Sequence, residues 1–280
     1  MNIATEPRPQ RAPAAGRLRI PLYQIDAFAD RPFTGNPAAV CPLEGWLPDD
    51  VLQSIAEENN LAQTAFYVPR ALRNAEPAFD LRWFTPTAEV DICGHATLAS
   101  AHSILGEGDA NSVAFYTRSG VLRVMREGER LALDFPARPP APGSIDIAAV
   151  EAALGARPDL LLMSRDVFAV FGETPRVAGL RPDTAKVAAL PGFGVIATAP
   201  GADCDFVSRF FAPKVGVPED PVTGSAHCSL IPYWAERLGK ADLFARQISK
   251  RGGQLWCRHR GERVTIAGTC APYLAGWIEI

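Results

Sequence analysis

LRWFTPTAEVDICGHATLASAHSIL (Leu81–Leu105) and VSRFFAPKVGVPEDPVTGSAHCSLI (Val207–Ile231) run through the same series of residue types. Each has an arginine, two aromatics, one residue, a proline, an acidic loop, a glycine, small residues and an apolar run. The loops differ in length, with eight positions from Pro86 to Gly94 and eleven from Pro213 to Gly224. A repeated order of residue types within one chain reads as a repeated supersecondary unit. Here the unit is a strand stopped by proline, a loop and a helix, the first helix expected over about Ala96–Leu105. Two similar α+β halves follow, each offering one strand–loop–helix corner to a shared cleft.

The flanking sequence fits that plan. Period-2 stretches predict strands near Leu22–Phe28, Ala38–Val40, LAQTAFYV and AFDLRWFTP, and LPDDVLQSIAEENN predicts a helix capped by Asp49. SVAFYTRSGVLRVMREGERLALDFPA reads as a β-meander. FPARPPAPGS (Phe135–Ser144) carries four prolines, which few elements can run through. The expected organisation is a disordered tail over 1–17, a first half over 18–136 and a second over 137–280, with the final strand returning to the first half. In the second half SIDIAAVEAALG predicts a helix. LLMSRDVFAVFG, GVIATAP and DFVSRFFAP predict strands, then HCSLIPYWAERLG a helix and two strand-like segments to the end.

Composition narrows the function. At 280 residues with a formal charge of −3, the chain lacks the basic footprint of a nucleic-acid or anionic-membrane binder. No apolar run reaches the length of a membrane span, and the proline- and arginine-rich start lacks a secretory core, so a cytoplasmic protein is expected. The six cysteines lie far apart without a Cys-x-x-Cys pair, as suits reduced thiols. His95, His102, His227 and His259 form no metal-ligand spacing, so no metal is expected. Neither phosphate-binding glycine motif is present, and no nucleotide cofactor is implied.

What remains is acid–base chemistry at the two corners. A glycine and small residues at a helix start leave backbone N–H groups free to face an anion. CGHAT and TGSAHCS therefore suit a two-sided grip on a small carboxylic acid. His95 in one corner and Asp220 in the other supply proton-transfer groups.

FTGNPAAV (Phe33–Val40), ICGHATLASAH, LALDFPA, DFVSRFFAP, EDPVTGSAHCSLIPYWAERLGK and QISKRGGQLWCR together resemble the phenazine-biosynthesis isomerase family, the PhzF-like proteins of the diaminopimelate epimerase fold. The resemblance runs from about Leu22 to the C-terminus. It implies an α+β fold of two pseudo-symmetric halves, each a curved sheet or barrel around a central helix. It also implies a cofactor-free isomerase or epimerase of a small acid, commonly a homodimer. Position by position it assigns catalysis to His95 and Asp220 and substrate contact to Ser225. Gly94, Ala96, Gly224 and Ala226 become backbone contacts, and Asn36 of FTGNPAAV joins them. Cys93 falls near the position where racemase branches keep a thiol. The chain departs from the pattern at NLAQT (Asn60–Thr64), where Gln63 stands in place of the proton-shuttling glutamate. An amide orients a substrate but carries no titratable proton near neutral pH. A non-catalytic acid-binding or regulatory protein is therefore the alternative.

Overall fold

The computed structural model describes residues 17–71, 76–106 and 109–280. The tail expected over 1–17 lies almost wholly outside the described residues. Seventeen strands join in one continuous mixed sheet. In the first stretch Arg19–Ala27 forms a hairpin with Asn36–Pro42, which runs parallel to Gln63–Pro69. Gln63–Pro69 pairs antiparallel with Ala78–Phe84, and the short Glu89–Val90 turns back along the latter. Ser112–Thr117 lies parallel to Ala78–Phe84 and opens a meander through Gly120–Glu127 and Arg130–Pro136.

The second stretch pairs in the same order and sense. A hairpin of Leu160–Met163 and Val167–Val170 is followed by the parallel Val195–Pro200 and the antiparallel Phe206–Ala212. Val217–Asp220 turns back along Phe206–Ala212, and Asp242–Gln247 lies parallel to it. A meander through Gly253–Arg260 and Arg263–Gly268 completes the series. Two antiparallel pairings join the series, Arg130–Pro136 with Arg263–Gly268 and Arg19–Ala27 with the last strand, Cys270–Glu279.

Two helices sit inside the curvature, Gly94–Leu105 and Gly224–Leu238. A helix surrounded by strands must be apolar or small on every side. Every residue from Gly94 to Ala101 is buried. The polar ones turn inward, Thr97 Oγ1 to Cys93 O at 2.5 Å and Ser100 Oγ to Ala96 O at 2.8 Å. The main core cluster wraps both helices, while two satellite clusters lie under the outer helices Asp49–Asn59 and Ile147–Leu154.

Several expectations are corrected. The first central helix starts at Gly94 rather than Ala96, because Cys93 takes the capping position and its carbonyl already accepts from Thr97 N. Asp49 is not a cap: Pro48 occupies that position, and the Asp49 carboxylate instead reaches Arg82 at 2.8 Å. LLMSRDVFAVFG is two strands around a tight turn, and DLFARQ, read as part of no element, is a strand. The short helices Thr174–Ala178 and Thr184–Ala189 carried no legible periodicity over five and six residues. Among the described residues, no helix is long and apolar enough to cross a membrane.

Candidate active site

The two central helices point their N-termini at one another. A Cβ added to Gly94 would lie 3.6 Å from the Gly224 Cα, so the backbones nearly touch where the first free N–H groups emerge. Both glycines line a cavity of ≈ 370 Å³, together with Gln63, Cys93, His95, Asp220 and Ser225. Ala96 and Ala226 do not line it; both are buried one residue further along each helix. Asn36 lies behind the wall as the hub that joins its members.

The Asn36 amide nitrogen faces Asp220 Oδ1 at 2.7 Å, the Val222 carbonyl at 2.8 Å and His95 Nδ1 at 3.2 Å. Two of these three partners can only accept, so the amine side of the amide must face them. The Asn36 nitrogen has two hydrogens and no lone pair to accept with, so the shorter bonds go to Asp220 and Val222 and His95 Nδ1 faces it without a hydrogen. The Cys93 sulfur lies 3.6 Å from His95 Nδ1. Burial pushes that thiol up to about 12, so it keeps its proton and offers a donor to Nδ1. Both neighbours leave the imidazole hydrogen on Nε2, a buried atom without a protein partner among the described residues. Burial also lowers the His95 pKa to about 3, so the ring is neutral at ordinary pH.

Asp220 ends the strand Val217–Asp220, in register with Phe210. Its Oδ2 accepts from Thr223 Oγ1 at 2.6 Å, while Asn36 serves Oδ1. Gln247 holds the turn between Asp220 and the helix, accepting from Thr223 N at 2.8 Å and donating to Asp220 O at 2.7 Å. Desolvation in the cavity wall raises Asp220 to about 6, outweighing the two hydrogen bonds that oppose it. Of His95, Cys93 and Asp220, only Asp220 changes charge near neutral pH.

Gln63 begins its strand, half-buried, with its amide lining the cavity. His227 Nδ1 donates to the Thr223 carbonyl, 2.8 Å away, as a structural core histidine. Sequence reasoning missed Thr223, Gln247, Arg138 and Arg165. The last two line the cavity. Arg138 owes its place to Pro232, which removes the N–H that would pair with the Cys228 carbonyl one turn earlier. Arg138 N takes that freed carbonyl at 2.8 Å and docks the proline-rich connection against the second helix.

A mixed sheet wrapped around two opposed helix starts, with a carboxyl raised to about 6 in the wall of the cavity beside them, makes an epimerase-like scaffold. The phenazine biosynthesis-like protein family model matches residues 25–276. A Pseudomonas aeruginosa protein named an uncharacterized isomerase is 52% identical over 266 residues, spanning 94% of this chain and all of its own. A Halalkalibacterium halodurans protein of the same description is 42% identical, spanning 92% of this chain and 97% of its own. The crystal structure of a PhzF-family protein from Enterococcus faecalis superposes with a TM-score of 0.88 at 44% identity, covering 94% of this chain and all of that one. The chain belongs to the phenazine biosynthesis-like (PhzF) family.

Proposed function

We propose that the protein is a cofactor-independent isomerase that moves a proton on a small carboxylic acid, with Asp220 as the proton carrier. The observation that carries this reading is the Asp220 carboxyl, raised to about 6 and held by Asn36 and Thr223 beside two opposed helix starts. In an unsaturated acid, deprotonated Asp220 takes a proton from the carbon between the carboxyl and a C=C bond. The C–H electron pair delocalises over the carboxyl and that double bond, which shifts by one position when the far carbon is protonated. Backbone N–H groups at Gly94 and Gly224 and the His95 Nε2–H stabilise the negative charge that develops. Protonated Asp220 then returns the proton to another carbon of the delocalised anion.

His95, neutral and carrying its hydrogen at Nε2, acts in this scheme as a hydrogen-bond donor rather than as a second proton carrier. Cys93, its thiol protonated, keeps the imidazole in that tautomer. Gln63 and Ser225 orient the substrate. With one titrating group near neutral pH, a proton shift on one face is favoured over inversion, which needs carriers on both faces. The repeated strand order supports two pseudo-symmetric halves, 18–136 and 137–280, around this cleft, and we extend the family expectation of a homodimer to the chain.

The test is solvent-deuterium incorporation at C–H positions across a panel of amino, hydroxy and unsaturated acids, read by mass spectrometry. Exchange by the wild type should fall about 10²–10⁴-fold in Asp220→Asn, the cost of losing a positioned acid–base group. Binding of acids without exchange anywhere in the panel favours the second reading, an acid-binding protein, which Gln63 in place of a carboxylate motivates.

A further inference from the structure

One wall of the cavity carries more positive charge than a single carboxylate at the helix starts requires. Arg138 and Arg165 both line it on the side of the second helix. The Arg165 guanidinium lies over the Phe193 ring at 4.1 Å, a cation–π contact that holds its charge beside the cavity. Its Nη2 extends to within 3.4 Å of Ser225 Oγ, the side chain next to Gly224. Arg165 Nε pairs with Asp166 Oδ2 at 3.6 Å, so one buried carboxylate stands against the two guanidiniums and leaves the wall a net cation. Arg165 Nε and Asp166 Oδ1 are both buried without hydrogen-bond partners among the described residues. Burial raises the Asp166 carboxyl above its ordinary range, opposed by the charges of Arg165 and Arg138. The acids at the far lip do not reach across in charge: Glu89 is held by Arg82 and Arg118, and Asp91 is solvent-exposed.

We infer that the substrate is a small dianion, with one carboxylate between the Gly94 and Gly224 helix starts and a second anionic group received by Arg165 and Arg138. The inference rests on the proton-shift reading for the role of the first carboxylate, but the arginine pair is a separate observation. A guanidinium placed over an aromatic ring beside the cavity, with Nε left without a hydrogen-bond partner among the described residues, suits a planar carboxylate. A neutral amide of the same shape leaves guanidinium donors facing an NH₂ group. Discrimination of this kind, by unpaired polar groups in the site, is far stronger than discrimination by size. The cavity, at ≈ 370 Å³, accommodates a chain of several carbons between the two grips.

The experiment uses matched probes, succinate against succinamate and glutarate against glutaramate, titrated calorimetrically into the full chain. The wild type should bind at least one dicarboxylate about 10²-fold more tightly than its monoamide. Arg165→Met should cut that ratio to about threefold or less, and Arg138→Met should reduce it in the same direction, which keeps the test open if either variant folds poorly. Equal affinity within both pairs, or a preference that survives Arg165→Met and Arg138→Met, overturns the inference. Dianion preference without C–H exchange on any acid sinks the proton-shift reading and leaves this inference standing. Exchange on acids without dianion preference does the reverse.

Discussion

At the residue scale the site sets apart three groups, His95 and Asp220, to which the sequence assigns proton transfer, and Cys93, which it keeps only as a possible thiol. Cys93, His95 and Asp220 all approach the same cavity, yet burial drives the first two away from neutral pH in opposite directions, to about 12 and about 3. Only Asp220, at about 6, is left to change charge under working conditions. This has a consequence for stability as well as chemistry. Folded Asp220 keeps its proton up to pH of about 6, while the unfolded carboxyl loses it near 3.8. Between those values the folded state binds more protons, so this group makes stability fall as pH rises, and the penalty is complete above about 6. Asp220→Asn removes that fall. Its slope of unfolding free energy against pH, from urea denaturation at several pH values between 4 and 6, should be more positive than wild type by up to ~1.4 kcal/mol per pH unit, one proton's worth. An unchanged slope shows that the carboxyl is not raised in the folded protein.

At the element scale the proposed grip falls to the two helix starts, where the glycines leave a gap and need no special backbone freedom. Neither Gly94 nor Gly224 has a positive φ. A methyl at Gly94 would meet Gly224 Cα and Phe135 Cζ at 3.6 Å, ordinary contact distances, so the fold has room for it and a bound carboxylate does not. Gly94→Ala is therefore expected to stay within about 1 kcal/mol of wild-type stability by chemical denaturation, the range of a tolerated substitution. It should lose acid binding and exchange at least tenfold. Loss of folding instead of binding would make the glycine structural. This corner was the most legible part of the sequence, because Gly94, His95, Asp220, Gly224 and Ser225 sit in short local motifs whose spacing survives without any tertiary information. Asn36 followed only through the resemblance of FTGNPAAV. Arg138, Arg165 and Gln247 were not legible, since each reaches the site through a contact between segments distant in sequence; Thr223, three residues from Asp220 and inside the quoted TGSAHCS run, was passed over. The Pro232 gap that seats Arg138 is the clearest such case: a proline read as a helix residue has its effect on a carbonyl four residues back and a segment some ninety residues earlier. The strand Asp242–Gln247 was missed for a related reason, its six residues taking their conformation from neighbours on both sides.

At the scale of the whole molecule, the site works only if Asn36, carried by one sheet series, stays fixed against Asp220, carried by the other. The two long-range pairings of the sheet hold the series together, but a smaller strap sets the local distance. Arg251 donates from Nε to Gly35 O at 2.9 Å and from Nη2 to Thr34 O at 3.0 Å, and it makes an ion pair with buried Asp26 at 2.8 Å. Next to it, Gly35 N bonds Gly252 O at 2.7 Å, and Ser249 Oγ bonds Pro221 O at 2.8 Å, one residue after Asp220. The segment Ser249–Gly252 thus touches the residues adjoining both ends of the Asn36–Asp220 hydrogen bond. The loop it clamps holds Phe33 and Gly35 at positive φ, a conformation that a non-glycine residue keeps only when its surroundings enforce it. Arg251→Met removes the enforcement and leaves the Asp26 carboxylate buried without its cation. The expected cost is about 1–3 kcal/mol by urea denaturation, below that of a fully buried pair because Arg251 is partly exposed. The sharper readout is kinetic. As a positioning residue acting through Asn36, Arg251 should affect kcat for C–H exchange about tenfold or more while changing KM little, since misplacement of about 1 Å at a reacting group is costly in rate. Release of Asp220 from Asn36 should also raise the acid limb of its pH profile, because one of the hydrogen bonds that favour the carboxylate is lost. Arg251→Lys restores the charge beside Asp26 but not both carbonyl bonds, so stability should recover more than kcat. A variant in which kcat, KM and the pH profile all stay at wild-type values while stability falls would reduce the strap to a purely structural clamp.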